Sequence, residues 1–468
     1  MTSTTPRAGT AATEPIAPAG PVTVRLARLA QQVRSRGLTP SESHAATRAV
    51  LDWFGATIAG SATAPARILK QAVAHDASGG RARLVPGGRR LAARTAALIN
   101  ATASHTVEMD DIYREGIYHP GSPTVGAALA LAEQLDRSGA DLLRAVAIGY
   151  EVGDRIAETV NPTHYRYWHT TGTIGAIGAA AAAAELLELD AERFAHALAT
   201  ASTMGAGLQQ AFRSDAMSKP LHAGHAAETG VLAGLAAQHG YTGALDVLDG
   251  ESGLGAAMAG SPDWSTTAAH PDAPLKITQA TVKNHSCCGH TFAAVDAALR
   301  LRTEGLRADQ VDSIEVRTYG TAVKVAGIED PRTDFEAKFS TAYCVAAALV
   351  LGSVRLRAFE PPALADPRVR ALAARVRLVP DAEMEHDFPG RRRAVVRVVD
   401  HAGDTRVSAR DTRKGDPDDP LDDAELADKF HDLASPVLGD RAAAQLVAQL
   451  WALSTLSRLS DLDPGVTS

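Results

Sequence analysis

Cysteine is nearly missing from this chain: three residues in 468, at positions 287, 288 and 344. Three thiols cannot build a disulfide framework, and their spacing is not that of a zinc ribbon. A reducing cytoplasm is the compartment that such usage fits. No basic run stands out either; the net charge is -7 with a pI near 6.1, which argues against a nucleic-acid partner. No stretch reaches the roughly 20 apolar residues that a bilayer span needs. The longest small-residue run, Gly175 to Ala184, is mostly alanine and stops at Glu185. The first twenty residues lack a long apolar segment and read as a loose tail rather than a signal peptide. Aromatic side chains are only 4% of the chain, so a pocket walled by rings is not available.

What the chain has is alanine-rich helical pattern, broken by polar loops. Leu51, Phe54 and Ile58 recur at helical spacing, as do Val125, Ala128 and Leu131, and again Ile148, Val152 and Ile156. Between Leu91–Ala103 and the segment after Gly121 lies SHTVEMDDIYREGIYHPG, Ser104 to Gly121. It carries His105, His119, Glu108, Asp110, Asp111 and Glu115 between two apolar helices, and buried charge of that density needs partners or a ligand. Loops held by rigid helices are where sites sit. A second loop, NPTHYRYWHTTGTIG from Asn161, puts His169, Thr170 and Thr171 at a helix start, where hydroxyls and free amides favour an anion. A third, Gly205 to Gly224, puts Lys219 and His222 at the start of another small-residue helix. A lysine there makes sense if it and the amides face one anion.

Near residue 275 the texture changes. Leu275–Lys283, Val311–Tyr319 and Arg393–Val399 read as strands, with helices at Thr291–Arg302 and Thr341–Leu351. This predicts an α+β unit over 275–410 inserted into a mainly α protein, whose large all-helical domain (21–274 plus 411–460) is built from both chain ends. The first of those strands runs into VKNHSCCGH, which gathers Lys283, His285, Cys287, Cys288 and His290. The CC pair has no second half, so zinc is not the expected occupant.

Three chemistries compete for these loops. DDIYRE resembles the acidic metal-binding motif of terpene cyclases, but the second metal-binding triad and the sheltering aromatics are both missing. A non-catalytic helical scaffold explains the alanine helices and leaves the loops, each with a His or Lys, unexplained. Acid–base work on a polycarboxylate uses them all. A base removes a proton beside a carboxylate, and cations with oriented amides hold the charge that develops. His119, His169, Lys219 and Lys283 supply that set without a metal. Asp110 and Asp111 orient imidazoles or hydroxyls in this reading, or else cap a helix.

The pieces NATASHTVEMDD, HPGSPTV, GYEVGDRI, HTTGTIGAIGAA, SKPLHAGHAAETGVLAGLAAQHGYTG, VKNHSC and EAKFSTAYCVAAAL, in that order, resemble the MmgE/PrpD family. That family includes 2-methylcitrate dehydratase, cis-aconitate decarboxylase and iminodisuccinate epimerase. The resemblance implies a helical domain, an α+β lid domain, a site in the cleft between them with no cofactor, and a homodimer. The family's active-site residues fall on His119, His169, Lys219 and Lys283, with Glu108 before the paired aspartates. Thr170, Thr171, His222 and Cys287 are the expected substrate-binding residues. The chain departs from the decarboxylase branch at Glu108 (Asp there), at Ile112 (Thr there), by one extra residue before His119, and at Cys287, where a histidine is expected. The decarboxylase tyrosine aligns nearer Val323 than Tyr319. The expected activity is therefore a lyase reaction on a small polycarboxylate, dehydration of a 2-methylcitrate-like hydroxy acid first. Decarboxylation of a cis-aconitate-like acid, or epimerisation of an amino-diacid, are the alternatives.

Overall fold

The structure is a computed structural model that describes residues 20–74, 79–212, 216–270, 272–388 and 390–463. The N-terminal stretch read as a loose tail lies outside them, apart from Gly20.

Helices dominate, and the most alanine-rich of them lie deepest. Thr170–Leu186 is buried at every position. A helix apolar all round has no solvent face to offer, so it becomes the axis of a bundle. Against it pack Gly121–Gln134, Gly139–Val160 and Ser218–Gln238. Small residues set the spacing: a Cβ at Gly230 would stand 2.4 Å from the Cβ of Ala179. Pro40–Ser61 opens with a full capping box, Thr39 with Glu42, behind Pro40 at its first position. Asp423–Leu438, from the other end of the chain, packs against it. One hydrophobic core therefore collects residues from Val22 to Val282 and again from Leu421 to Leu462.

A second core runs from Cys287 to Val398. Beside the first core, a two-residue ribbon pairs β1 (Ala82–Arg83) with β2 (Arg90–Leu91). The larger sheet, in the second core, has β3 (Val311–Thr318), β4 (Val376–Pro380), β5 (Ala394–Asp400) and β6 (Thr405–Arg410) in the order β4-β3-β5-β6. β3 and β4 are parallel; the other pairs are antiparallel, with Val316 opposite Val396. Alternate residues Ile314 and Val316 of β3 are buried in this core, and the helices Phe292–Thr303 and Thr341–Leu351 pack on the sheet through β5 and β6 and through β4 respectively.

The fold is thus mainly helical with a small mixed sheet, as the sequence implies. One expected strand is corrected. Leu275–Lys283 holds a single 3₁₀ turn, Lys276–Gln279, and only Thr281 pairs in β fashion, with Ile112. Its apolar residues alternate because they dip into the helical core rather than into a sheet.

Candidate active site

The Ser104–Gly121 stretch leaves the helix Ala93–Ser104 and folds back on itself through backbone pairing of Tyr113 with Tyr118. Glu108 takes φ +57 and Ile117 φ +46, bends that aim their neighbours inward. Two clips hold the stretch to the chain that carries Lys283. Ile112 and Thr281 exchange backbone hydrogen bonds of 2.9 and 2.7 Å, and the Ser286 hydroxyl donates to the Val107 carbonyl at 3.0 Å. A third comes from the C-terminal helix: the buried Lys429 ammonium donates to the Met109 carbonyl at 2.7 Å and to Asp52 at 2.5 Å.

Around this frame lies a cavity of about 970 Å³, lined by His105, Glu108, His119, His169, Lys219, Lys283 and Cys287 among others. Residues as far as 182 positions apart in sequence (His105 and Cys287) thereby share one hollow. Its chemistry has two halves. In the first, Glu108 accepts from Lys219 through one oxygen and from Lys283, at 3.3 Å, through the other. Burial works to raise the Glu108 carboxyl, but Lys219 and then Lys283 outweigh it and hold it well below the usual range.

In the second half, Asp110 is shared. Its Oδ2 lies 2.6 Å from His105 Nδ1, 2.9 Å from the Ser122 hydroxyl that donates to it, and 3.2 Å from His119 Nδ1, the last at an angle poor for a hydrogen bond. Burial opposes ionisation of Asp110; His105 and then His119 overcome it and hold the carboxyl well below its ordinary value. An ionised Asp110 fixes the hydrogen of His105 on Nδ1, so that Nε2 presents a lone pair. That Nε2 is buried and has no hydrogen-bond partner among the described residues. The ring of His105 stacks on His169 at 5.4 Å and meets His119 edge-on at 5.0 Å. Burial pushes His119 down to about 4, with Asp110 pulling the other way, and burial with His105 and Lys219 nearby pushes His169 well below 6.5.

The paired aspartates divide their work. Asp111 accepts from the Gly121 amide at 3.0 Å, at the start of the helix Gly121–Gln134, and from the Tyr150 hydroxyl at 2.7 Å. It is a helix cap, and burial together with Asp52 raises it to about 7. Neither aspartate lines the cavity. Thr170 and Thr171 do not reach it either. Thr171 accepts from the His119 amide at 3.2 Å, and Thr170 is buried in the first turn of its helix. They position His119 and the helix rather than open a hydroxyl-lined anion site. His222 sits behind His169, Nδ1 to Nδ1 at 3.0 Å. Cys287 lines the wall and is hydrogen-bonded with Thr291 at 3.0 Å.

Sequence reasoning noticed His105 and gave it no role; its signal was an acid five positions on, at a spacing no regular element makes meaningful. Of the VKNHSCCGH residues, Lys283, Cys287, Cys288 and His290 line the cavity, the last hydrogen-bonded with Tyr319 at 2.7 Å, while His285 turns away to pair with Asp296 at 2.8 Å. Among the described residues, the one group spaced to hold a metal ion is His105, Asp110 and His119, whose ligand atoms lie within 4.8 Å of one another. Two of those atoms already share the 2.6 Å hydrogen bond. No helix among the described residues is long and apolar enough to cross a membrane.

Comparison with known proteins agrees on one lineage. The family model of the MmgE/PrpD N-terminal domain matches residues 24–267, and that of the MmgE/PrpD C-terminal domain matches residues 285–453. A cis-aconitate decarboxylase-like protein, oryM, of Aspergillus oryzae is 27% identical over 95% of this chain and 97% of its own. The human cis-aconitate decarboxylase is 29% identical over 80% of this chain and 79% of its own, and that of Aspergillus terreus 24% over 82% and 83%.

Proposed function

The chain belongs to the MmgE/PrpD family, and from that premise we propose that it is a lyase acting on a small polycarboxylate by proton transfer beside a carboxylate. One observation carries the reading: three imidazoles at ring spacings of 5.0 and 5.4 Å share a cavity with two lysines that converge on one acid.

In the first reading the substrate is a 2-methylcitrate-like hydroxy acid. Lys219 and Lys283 hold a carboxylate, and in binding it they turn part of their charge away from Glu108. The free Nε2 of His105, backed by Asp110, or the neutral ring of His119, takes the proton from the carbon beside that carboxylate. The electron pair moves into the carboxylate as an enediolate, which the two ammonium groups stabilise. It then returns to form the carbon–carbon double bond as the β-hydroxyl leaves with a proton, as water. His169 is the candidate donor of that proton. Burial works to keep it neutral, and the entering carboxylates raise it toward protonation. The sheet-bearing core closes over the cleft as a lid and shuts water out, in a homodimer.

Decarboxylation of a cis-aconitate-like acid is the second reading, favoured by the activity for which the relatives are named. There the carbon–carbon bond to the carboxylate breaks, carbon dioxide leaves, and the allylic carbanion takes a proton from the same groups. Incubation of the purified protein with 2-methylcitrate, cis-aconitate and a racemisable amino-diacid, followed by NMR, separates the readings. Loss of water from 2-methylcitrate supports the first and gas release from cis-aconitate the second. No turnover of any of the three would refute both.

A further inference from the structure

Beyond the basic groups already placed, the cavity wall holds a cation that has no ion-pair partner among the described residues. Arg392, just before β5, lines the cavity beside Gly289, His290 and Phe388. Its Nε is buried without a hydrogen-bond partner, and no carboxylate among the described residues lies within 4.0 Å of its guanidinium. The nearby acids are taken. Asp416 binds Arg413 through two hydrogen bonds of 2.8 and 2.6 Å, and Asp387 and Asp411 bind Arg393. The contact Arg392 does make is with the ring of Phe388, 5.8 Å from its centroid.

We propose that Arg392 is an anion subsite, holding a second carboxylate of the substrate against the sheet-bearing core while Lys219 and Lys283 hold the first from the helical side. The acid taken would then carry at least two carboxylates, set far enough apart to reach both. This rests on the polycarboxylate reading above and names a residue and a geometry that the reading does not supply.

Three features support it. A guanidinium partly withdrawn from water, with its Nε buried and no counter-charge, is unfavourable, and an incoming carboxylate relieves that state with two parallel hydrogen bonds. Gly289 keeps the approach open: a Cβ there would stand 3.0 Å from Arg413 Nη1 and 3.9 Å from Arg392 Nη1, in front of both cations. Burial, with Arg413 beside it, pushes Arg392 down to about 10, so the group remains charged at neutral pH while lacking the partner that would restore its usual value. Lys219 and Lys283, by contrast, already share the Glu108 carboxylate.

The probe is propane-1,2,3-tricarboxylate, which has neither hydroxyl nor double bond and so cannot be dehydrated. Calorimetric titration of the full chain should show it binding the wild type and binding Arg392→Gln roughly 10- to 100-fold more weakly. Arg392→Lys, which keeps the charge but not the fork, should recover part of that loss. Melting of the ligand-free proteins supplies the control: Arg392→Gln should melt no lower than wild type, because relief of the unpaired charge offsets loss of the contact with the Phe388 ring. Equal affinity in wild type and Arg392→Gln overturns the subsite, and so does a lowered melting point in Arg392→Gln, which would make the arginine structural. If the wild type turns over a polycarboxylate while Arg392→Gln binds the probe normally, the subsite alone falls. If the wild type neither binds the probe nor turns over any polycarboxylate, the reading of the whole cavity falls with it.

Discussion

Asp110→Asn separates the roles of charge and shape at the centre of the cavity. The change keeps the size of the side chain and an oxygen that can still accept from His105 Nδ1, at 2.6 Å in the native protein. What it removes is the negative charge that fixes the His105 tautomer and holds up the basicity of His119. The 3.2 Å approach of His119 is badly angled, so we count one charge-assisted hydrogen bond, the one to His105. Such a bond is worth about 1.5–3 kcal/mol, and at 1.36 kcal/mol per tenfold the expected fall in kcat/KM is roughly 10- to 150-fold. The same charge affects stability, with a sign that can be checked. The folded carboxyl is held well below its unfolded value. Its stabilisation is therefore fully present above the unfolded pKa of about 4, and is lost as pH falls through the lower folded value. Melting curves of wild type and Asp110→Asn should accordingly differ most at pH 7 and converge below pH ~4. A variant within twofold of wild-type kcat/KM, or a melting difference that does not change with pH, would refute the argument.

Three other substitutions test the surrounding frame. His119→Ala should lower turnover by at least about 100-fold with little change in urea midpoint, because the residue faces the cavity; full activity would remove it from the mechanism. Lys429→Met strips Asp52 and the Met109 carbonyl of a buried donor, and urea unfolding should show a loss of about 3 kcal/mol, the low end for a broken buried pair, since Asp52 is already raised by burial and can take up a proton. Adding Asp52→Asn should recover part of it. Gly121→Ala would put a Cβ 2.5 Å from Asp111 Oδ1 and 2.8 Å from the Tyr150 hydroxyl, so about 1–3 kcal/mol of overpacking is expected in the same assay.

The periodic parts of this fold could be read directly. The helices Phe292–Thr303 and Thr341–Leu351 and the strands β3 and β5 fall within two residues of where their patterns place them. β6 escaped because it is an exposed edge: of Thr405–Arg410 only Ser408 is buried, so it has no apolar alternation to show. The supposed strand at Leu275–Lys283 erred the other way, since alternating apolar residues can also dip into a helical core. At the site, residue types pointed to the right loops, because acids, histidines and lysines stand out against alanine. Division of labour was not legible. Adjacent aspartates look alike in sequence, yet Asp110 serves two imidazoles while Asp111 caps a helix, and only the turn of the backbone between them decides which does which. Arg392 was invisible for a related reason: it sits in a run of three arginines, and what sets it apart is the absence of an acid beside it in space.

The hold of Lys429 on the Met109 carbonyl has a bearing on biosynthesis. The loop that shapes the hollow is made first, and the side chain that steadies it leaves the ribosome 320 residues after Met109. Until then the loop around residues 105–120 is without that anchor, and Asp52 is left facing it without its ammonium. The nascent protein therefore cannot assemble its reaction centre until the segments around residues 52, 109 and 429 meet, and a chain cut short before residue 429 would retain the cavity-lining side chains named above without the tie that sets them in place.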